Sequence, residues 1–360
     1  MKHRSALICS AVLAFGSLVA AQTGGPTCCS GAPKDLGTLG GTISSANGIE
    51  RQGLEVAGAA NTTDDDASHA VIWSAKGSPT DLGVLSGGTN SSAAAVNYGH
   101  VAAGTSDYDD GSNGVVPFAF IYENGKMSSL GTLGGAASQA YGINDNRVVV
   151  GYSYNLSGAY HAFATNPSNS NQLIDLGTLG GTNSYAYAVS HLGFVAGASQ
   201  TTSTDQYGNQ ITDAVIWNLN NNKPYDIGGL GGSYAQLDAI NNDGQGTGYA
   251  QLPFKGSIVT IKDNAIVYRD SKVWNIGTLG GAFAQGTGIN KNGTVVGFST
   301  ISDNQTNHAF IWTAKGGMVD LNTLLPSGSP WTLSVANGID DNGRIVGYGL
   351  INGEYHAFIW

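Results

Sequence analysis

Short apolar runs separated by Gly, Asn and Asp recur along this chain. Each run holds four to six residues rich in Val, Ile, Phe, Trp or Tyr, as in Val149 to Gly151, Val295 to Gly297, His69 to Trp73 and His308 to Trp312. Runs of that length and composition, bounded by turn formers, predict short β-strands. Between two of them lies Asn-Lys-Asn-Gly (290–293) or Asp-Asp-Asn-Gly (340–343), which predicts a tight antiparallel hairpin.

The runs follow a fixed order. A Leu-Gly-Thr-Leu-Gly-Gly phrase preceded by Asp, Asn or Ser starts at Asp35, Ser129, Asp175, Asp226 and Asn275. It is degraded at Asp81 to Gly88 and has lost its glycines at Asp320 to Pro326. After each copy come Ala-x-Gly-Ile-Asn (Ala140 to Asn144, Ala336 to Asp340), then Val-Val-Gly, then His-Ala-Phe-Ile-Trp (His356 to Trp360). Seven copies at a period of about 45–50 residues, four short strands in each, predict an all-β, seven-bladed β-propeller. A β-helix coil and a leucine-rich repeat both need shorter periods. The chain opens its repeat region on an isolated fourth strand (Pro33 to Leu39) and ends on a third strand (Tyr355 to Trp360). The N-terminal strand is therefore expected to complete the last blade and close the ring.

Composition narrows the class further. Among 360 residues, 54 are Gly and only 11% are charged, which leaves few good helix formers and excludes a helical bundle or coiled coil. Fifteen Lys and Arg against 25 Asp and Glu give a net charge of −10, so neither nucleic acid nor an anionic membrane surface is an expected partner. Residues 1–21 have the form of a secretory signal: Lys2, His3 and Arg4, then an apolar stretch from Ala6 to Ala14, then Val19-Ala20-Ala21. A short linker (22–32) leads into the propeller (33–360). The expected product is secreted, periplasmic or held at the cell surface, without a membrane span, and monomeric. Cys9 leaves with the signal, so no disulfide framework is expected. Adjacent Cys28 and Cys29 are compatible with a vicinal disulfide, an intermolecular bridge or free thiols.

His-Ala-Phe at 161–163, 308–310 and 356–358, with the Leu-Gly-Thr-Leu-Gly-Gly linkers, resembles the HAF-type repeat of bacterial extracellular proteins. The resemblance covers residues 33–360. It implies a secreted bacterial repeat protein and carries no reaction or catalytic residues with it. Three copies depart at the His position, which is Pro117, Asp213 and Asn264.

A residue present in most copies is explained most economically by the scaffold. His69, His161, His308 and His356 are expected to make hydrogen bonds inside their blades, and Trp73, Trp217, Trp312 and Trp360 to pack between blades. Function is then sought where copies differ, in the loops between second and third strands. Two of these loops place Asp64, Asp65, Asp66, Asp107, Asp109 and Asp110 on one rim. The first reading is a solvated acidic edge, and a Ca²⁺ site is the alternative, since oxygen-rich loops suit a hard cation. No other cofactor is expected. Other loops offer Tyr108, Tyr154, Asn155, Tyr160, Asp205, Tyr207, Asn209 and Phe254, a mixture of rings and amides that suits carbohydrate. No catalytic constellation stands out. The expected function is a non-catalytic module that binds an extracellular glycan or protein, with a polysaccharide lyase or glycoside hydrolase as the alternative.

Overall fold

The computed structural model describes Cys29 and residues 31–74, 79–109, 111, 114–166, 169–221, 223–253 and 262–360, with the side chains of 169–171 left aside. The signal, Cys28, Asp110 and Phe254 lie outside the described residues. Seven four-stranded antiparallel sheets form, one per repeat. The first contains Gly40–Ile49, Glu55–Thr62, Ser68–Ser74 and Pro79–Asp81, from the ring axis outward. The inner strands of blades 2 to 7 are Ser91–Val96, Gly134–Ile143, Gly180–Val189, Ala235–Ile240, Ala284–Ile289 and Trp331–Ile339. In the last blade the outermost strand is Lys34–Asp35, antiparallel to Glu354–Ile359, with Lys34 opposite Ile359 and Asp35 opposite Phe358. The ring is closed as the order of phrases predicts. Closure is reinforced by Trp360 Nε1, which donates to the Gly31 carbonyl at 2.9 Å.

The repeated glycine of Val-Val-Gly has a steric cause. In every blade the inner strand carries a bulge: Ala46 pairs with Gly58 and Gly48 with Ala57, leaving Asn47 as an extra residue. A bulge bends its strand and re-aims a side chain. It also presses the preceding carbonyl against the second strand. A Cβ on Gly58 would lie 2.0 Å from the Ser45 oxygen, and one on Gly151 1.9 Å from that of Gln139. Equivalent contacts of 1.9 to 2.1 Å meet Gly104, Gly197, Gly248, Gly297 and Gly347. Only glycine fits beside the bulge.

The Asn of Ala-x-Gly-Ile-Asn ties neighbouring blades together at the opposite end of the ring. Asn144 Oδ1 accepts from the Asn146 and Val148 amides of its own hairpin, while its Nδ2 donates to the Ser190 carbonyl of the next blade at 3.0 Å. Asn97, Asn241 and Asn290 repeat that donation. Blades also pack through mixed apolar clusters. Trp73 of blade 1 joins Val346 and Ala357 of blade 7, and Trp217 of blade 4 joins Val148 and Ala162 of blade 3. Phe120, Phe163, Phe310 and Phe358 are fully buried, worth roughly 1.5–3 kcal/mol each.

The repeated histidines are clips within blades. His69 Nδ1 lies 3.0 Å from both carboxylate oxygens of Asp81, the residue that opens the next linker. His161–Asp175, His308–Asp320 and His356–Asp35 repeat the contact at 2.6 to 2.9 Å. Where the His is replaced, so is its partner or its role. Asn264 Nδ2 donates to Asn275 Oδ1 at 2.9 Å. Asp213 instead faces Asp226, and burial first, with that second charge, pushes its carboxyl up to about 6.

Candidate binding channel

The bulges put one side chain per blade on the axis. Asn47, Tyr141, Tyr187, Asp238, Thr287 and Asn337 all line a cavity of about 720 Å³, and Ala94 fills the equivalent place in blade 2. These are the x residues of Ala-x-Gly-Ile-Asn. The hairpin end of the channel narrows to a space of about 170 Å³. There Arg51 reaches Asp341 at 3.1 Å and Asp145 at 3.9 Å, and His191 approaches Asp145 at 3.6 Å. These pairs join the hairpins of blades 1, 3, 4 and 7 across that end.

One side of the ring carries rings of another kind. Tyr141 stacks on Tyr152 at 5.6 Å, Tyr152 meets Tyr185 edge-on at 5.0 Å, and Tyr185 stacks on Tyr187 at 6.4 Å. Tyr154 and Tyr160 lie 4.1 Å apart with their hydroxyls hydrogen-bonded. Further round, Tyr234 stacks on Tyr249 at 5.5 Å, Tyr249 meets Phe283 at 5.4 Å, and Phe283 meets Phe298 at 5.6 Å. All ten residues are half-buried. The arc runs through blades 3 to 6. The register explains it: Gln139 pairs with Tyr152, Gln236 with Tyr249 and Gln285 with Phe298, each an inner-strand amide beside an aromatic residue.

Within this arc sits an acid. Among the described residues lining the cavity, Asp238 is the one carboxylate and Arg51 the one guanidinium. Tyr234 donates its hydroxyl to Gln236 Oε1 at 2.8 Å, and Gln236 Nε2 donates to Asp238 Oδ1 at 2.5 Å. Asp238 Oδ2 is buried without a hydrogen-bond partner. Burial pushes this carboxyl up to about 7, against the opposing pull of Gln285 and Gln236. Burial likewise raises Tyr234 to about 12, helped by the charge of Asp238, and lifts Tyr187 and Tyr249 well above the ordinary phenol range. These phenols stay neutral at physiological pH.

The loop candidates fare differently. Tyr154 and Tyr160 belong to the aromatic arc. Tyr207 is an exposed ring at a hairpin tip, 61% accessible. Tyr108 packs edge-on against Phe118 at 5.0 Å, in the apolar layer between blades 1 and 2. Asn155 caps its own turn, accepting from the Ser157 and Ala159 amides, and Asp205 accepts from the Tyr207 and Asn209 amides. The Asn209 side chain donates back to Asp205.

The acidic rim is divided rather than assembled. Asp65 accepts from the Thr42 amide at 2.8 Å, the Thr42 hydroxyl and Asn61, and these bonds hold its carboxyl below the usual range. Asp107 accepts from the Asn90 amide and side chain, and Asp109 from the Gly111 amide. Gln200 and Gln251 do the same work in blades 4 and 5, accepting from the Asn183 and Ser233 amides. Asp65 and Asp107 thus hold the approach to an inner strand, a task that an uncharged amide performs elsewhere in the ring, while Asp109 caps its own turn. Asp64 and Asp66 are exposed in the adjoining turn. Among the described residues no group of three or more His, Cys, Asp and Glu could hold a metal ion.

The residues missed from sequence are Tyr141, Tyr152, Tyr185, Tyr187, Tyr234, Gln236, Asp238, Tyr249, Phe283, Gln285 and Phe298. A signal for several was present. The x of Ala-x-Gly-Ile-Asn varies freely between near-invariant neighbours within the same chain.

This architecture is that of a seven-bladed, four-stranded β-propeller. The chain is similar to the propeller domain of the trilobed protease from Pyrococcus furiosus, with 9% identity and a TM-score of 0.50 over 72% of this chain and 79% of that one. That domain has an open velcro topology, whereas this ring is latched by Lys34–Asp35. The chain is also similar to the oligogalacturonate lyase from Vibrio parahaemolyticus, at 10% identity and a TM-score of 0.52 over 90% of this chain and 92% of that one. At such identities the likeness establishes the fold. No family pattern matches the chain, and no curated protein matches it in sequence. Among the described residues, no helix is long and apolar enough to cross a membrane.

Proposed function

We propose that this protein is a secreted, non-catalytic binding module that takes a carbohydrate polymer at the channel mouth of blades 3 to 6. The observation that carries the reading is the half-buried aromatic arc from Tyr141 to Phe298, interleaved with Gln139, Gln236 and Gln285. Ring faces stack on the apolar faces of sugars, and amides exchange hydrogen bonds with hydroxyls, so a surface that alternates the two is matched to glycan chemistry. Export rests on the segment 1–21 and on the resemblance to extracellular HAF-type repeats. The test is migration of residues 22–360 through native gels cast with soluble polysaccharides. Retardation by one polymer, lost on Tyr152→Ala, supports the reading; silence across a broad panel removes it.

The alternative is a polysaccharide lyase or glycoside hydrolase. Its support is Asp238, whose carboxyl, raised to about 7 by burial, has the protonation range of a general acid. Hydrolysis also needs a second carboxyl about 5–10 Å away, and Asp238 is the one carboxylate among the described residues lining the cavity. Shortening of the bound polymer would decide for the enzyme.

A further inference from the structure

The binding reading leaves one group in the channel without a task. Asp238 is the single carboxylate among the described lining residues; its buried Oδ2 has no well-formed hydrogen bond, and the amide of Gln285 is the group that pulls most strongly on the carboxyl. Its other oxygen is already held by Gln236 at 2.5 Å, and Gln236 is itself held by the Tyr234 hydroxyl. This relay fixes the carboxyl in place rather than neutralising it. A lone buried charge is costly unless a partner completes it. The local partners are amides and phenols, and Arg51 is engaged with Asp341 and Asp145 among the hairpins at the far end of the cavity.

The surroundings select the kind of partner. Tyr234 and Tyr249 stack on each other, and they and Tyr187 are all close enough to the carboxyl to feel its charge. Aromatic faces around a carboxylate suit an organic cation, because ring quadrupole and carboxylate attract the same charge. The chain as a whole is acidic, which favours approach of a cation over an anion. We infer that Asp238 anchors an ammonium subsite: the ligand unit that enters the channel between Tyr187, Tyr234 and Tyr249 carries a protonated amine, as an amino sugar does. This rests on the carbohydrate reading for the rest of the ligand and goes beyond it in naming the charged group. Gln285 of the neighbouring blade, a flexible amide in the same wall, is the side chain that would swing to admit the amine.

The test measures binding of three probes by titration calorimetry at pH 7, where the Asp238 carboxyl is substantially ionised: a glucosamine hexamer, the matching neutral glucose hexamer, and spermidine. The glucosamine hexamer is expected to bind about tenfold tighter than the glucose hexamer, and Asp238→Asn, which keeps the shape of the side chain, is expected to erase the difference. Equal binding of the two hexamers overturns the ammonium subsite while leaving the carbohydrate reading intact. Binding of spermidine alone, lost in Asp238→Asn, keeps the ammonium subsite and overturns an amino sugar as its occupant. A tenfold preference that survives Asp238→Asn removes Asp238 from the site, and silence from all three probes overturns the ammonium subsite. If the Asn variant fails to fold, Tyr249→Leu in its place must reduce the preference, since it removes the ring face and leaves the carboxylate.

Discussion

Blades 2 and 5 are built on one frame and face the channel with opposite chemistry. Both have a bulged inner strand against an obligatory glycine, Gly104 in one and Gly248 in the other, each with a carbonyl about 2 Å from where a Cβ would sit. In blade 2 the bulge presents Ala94, and the position above it is Ser92, paired with Thr105. In blade 5 the bulge presents Asp238, and the position above it is Gln236, paired with Tyr249. The carboxylates of blade 2 sit outside, at the rim, where Asp107 and Asp109 hold backbone amides. Repetition thus secures the geometry, and the unrepeated residue inside the repeated phrase is free to carry chemistry.

The frame common to both blades is tested most severely at the latch. Deleting residues 33–39 removes the outermost strand of blade 7, the Asp35 partner of His356 and the amide of Leu36 that donates to the Ala357 carbonyl at 2.9 Å. A drop in melting temperature of roughly 10 °C or more is expected by calorimetry, because the edge of the last sheet is uncovered and its packing on blade 1 loosened. An unchanged transition would show that the ring does not depend on closure.

The glycines come next. Gly104→Val and Gly248→Val should destabilise by similar amounts, about 3 kcal/mol or more, since each drives a side chain into a backbone carbonyl. Equality is the point. If the blade 2 variant were tolerated and the blade 5 variant were not, the two blades would not share one frame, and denaturant titration of the pair would reveal it.

A smaller effect separates their surfaces. Tyr249→Ala should weaken polymer binding about three- to tenfold, the worth of one stacking ring, while Thr105→Ala at the paired position of blade 2 should leave it unchanged. Affinity electrophoresis at several polymer concentrations gives both numbers. A Thr105 variant as weak as the Tyr249 variant would spread the site around the ring.

How far all this was legible depends on repetition. The blade count, the strand order and the closing strand followed from phrases such as Val-Val-Gly and His-Ala-Phe, since seven copies average out local ambiguity. The clip role of His69 and His161 was legible for the same reason. The site was not. Alternation along an ideal strand has period two, and a bulge at Asn47 or Asp238 breaks that period; its one mark, a variable residue between near-invariant neighbours, does not say that the residue faces the axis. Tyr152 and Tyr185 are 33 positions apart and meet only because adjacent blades are wedged together. Loops such as Asp205 to Asn209 looked like binding sites because they vary, yet their polar groups are consumed in their own turns.

The smallest effect concerns the outer clips. Four blades join strand three to the linker by His and Asp, but blade 4 sets Asp213 against Asp226. Asp213 is raised from 3.8 to about 6 in the folded chain. The folded state therefore binds more protons than the unfolded one between those values, and stability falls as pH rises through that window. Above pH 6 the full penalty remains, on the order of 1 kcal/mol once solvent screening at a half-buried site is allowed for. Asp213→His should remove the penalty and supply the clip present in blades 1, 3, 6 and 7. Its melting temperature at pH 7 should exceed that of the parent by a few degrees at most, with the gain shrinking toward pH 4 as the parental Asp213 becomes protonated. Asp213→Asn, which does not titrate, separates the two contributions: if its gain over the parent grows on acidification, the carboxyl pair is stabilising in its ionised form, and the outer edge of blade 4 follows a different rule from its neighbours.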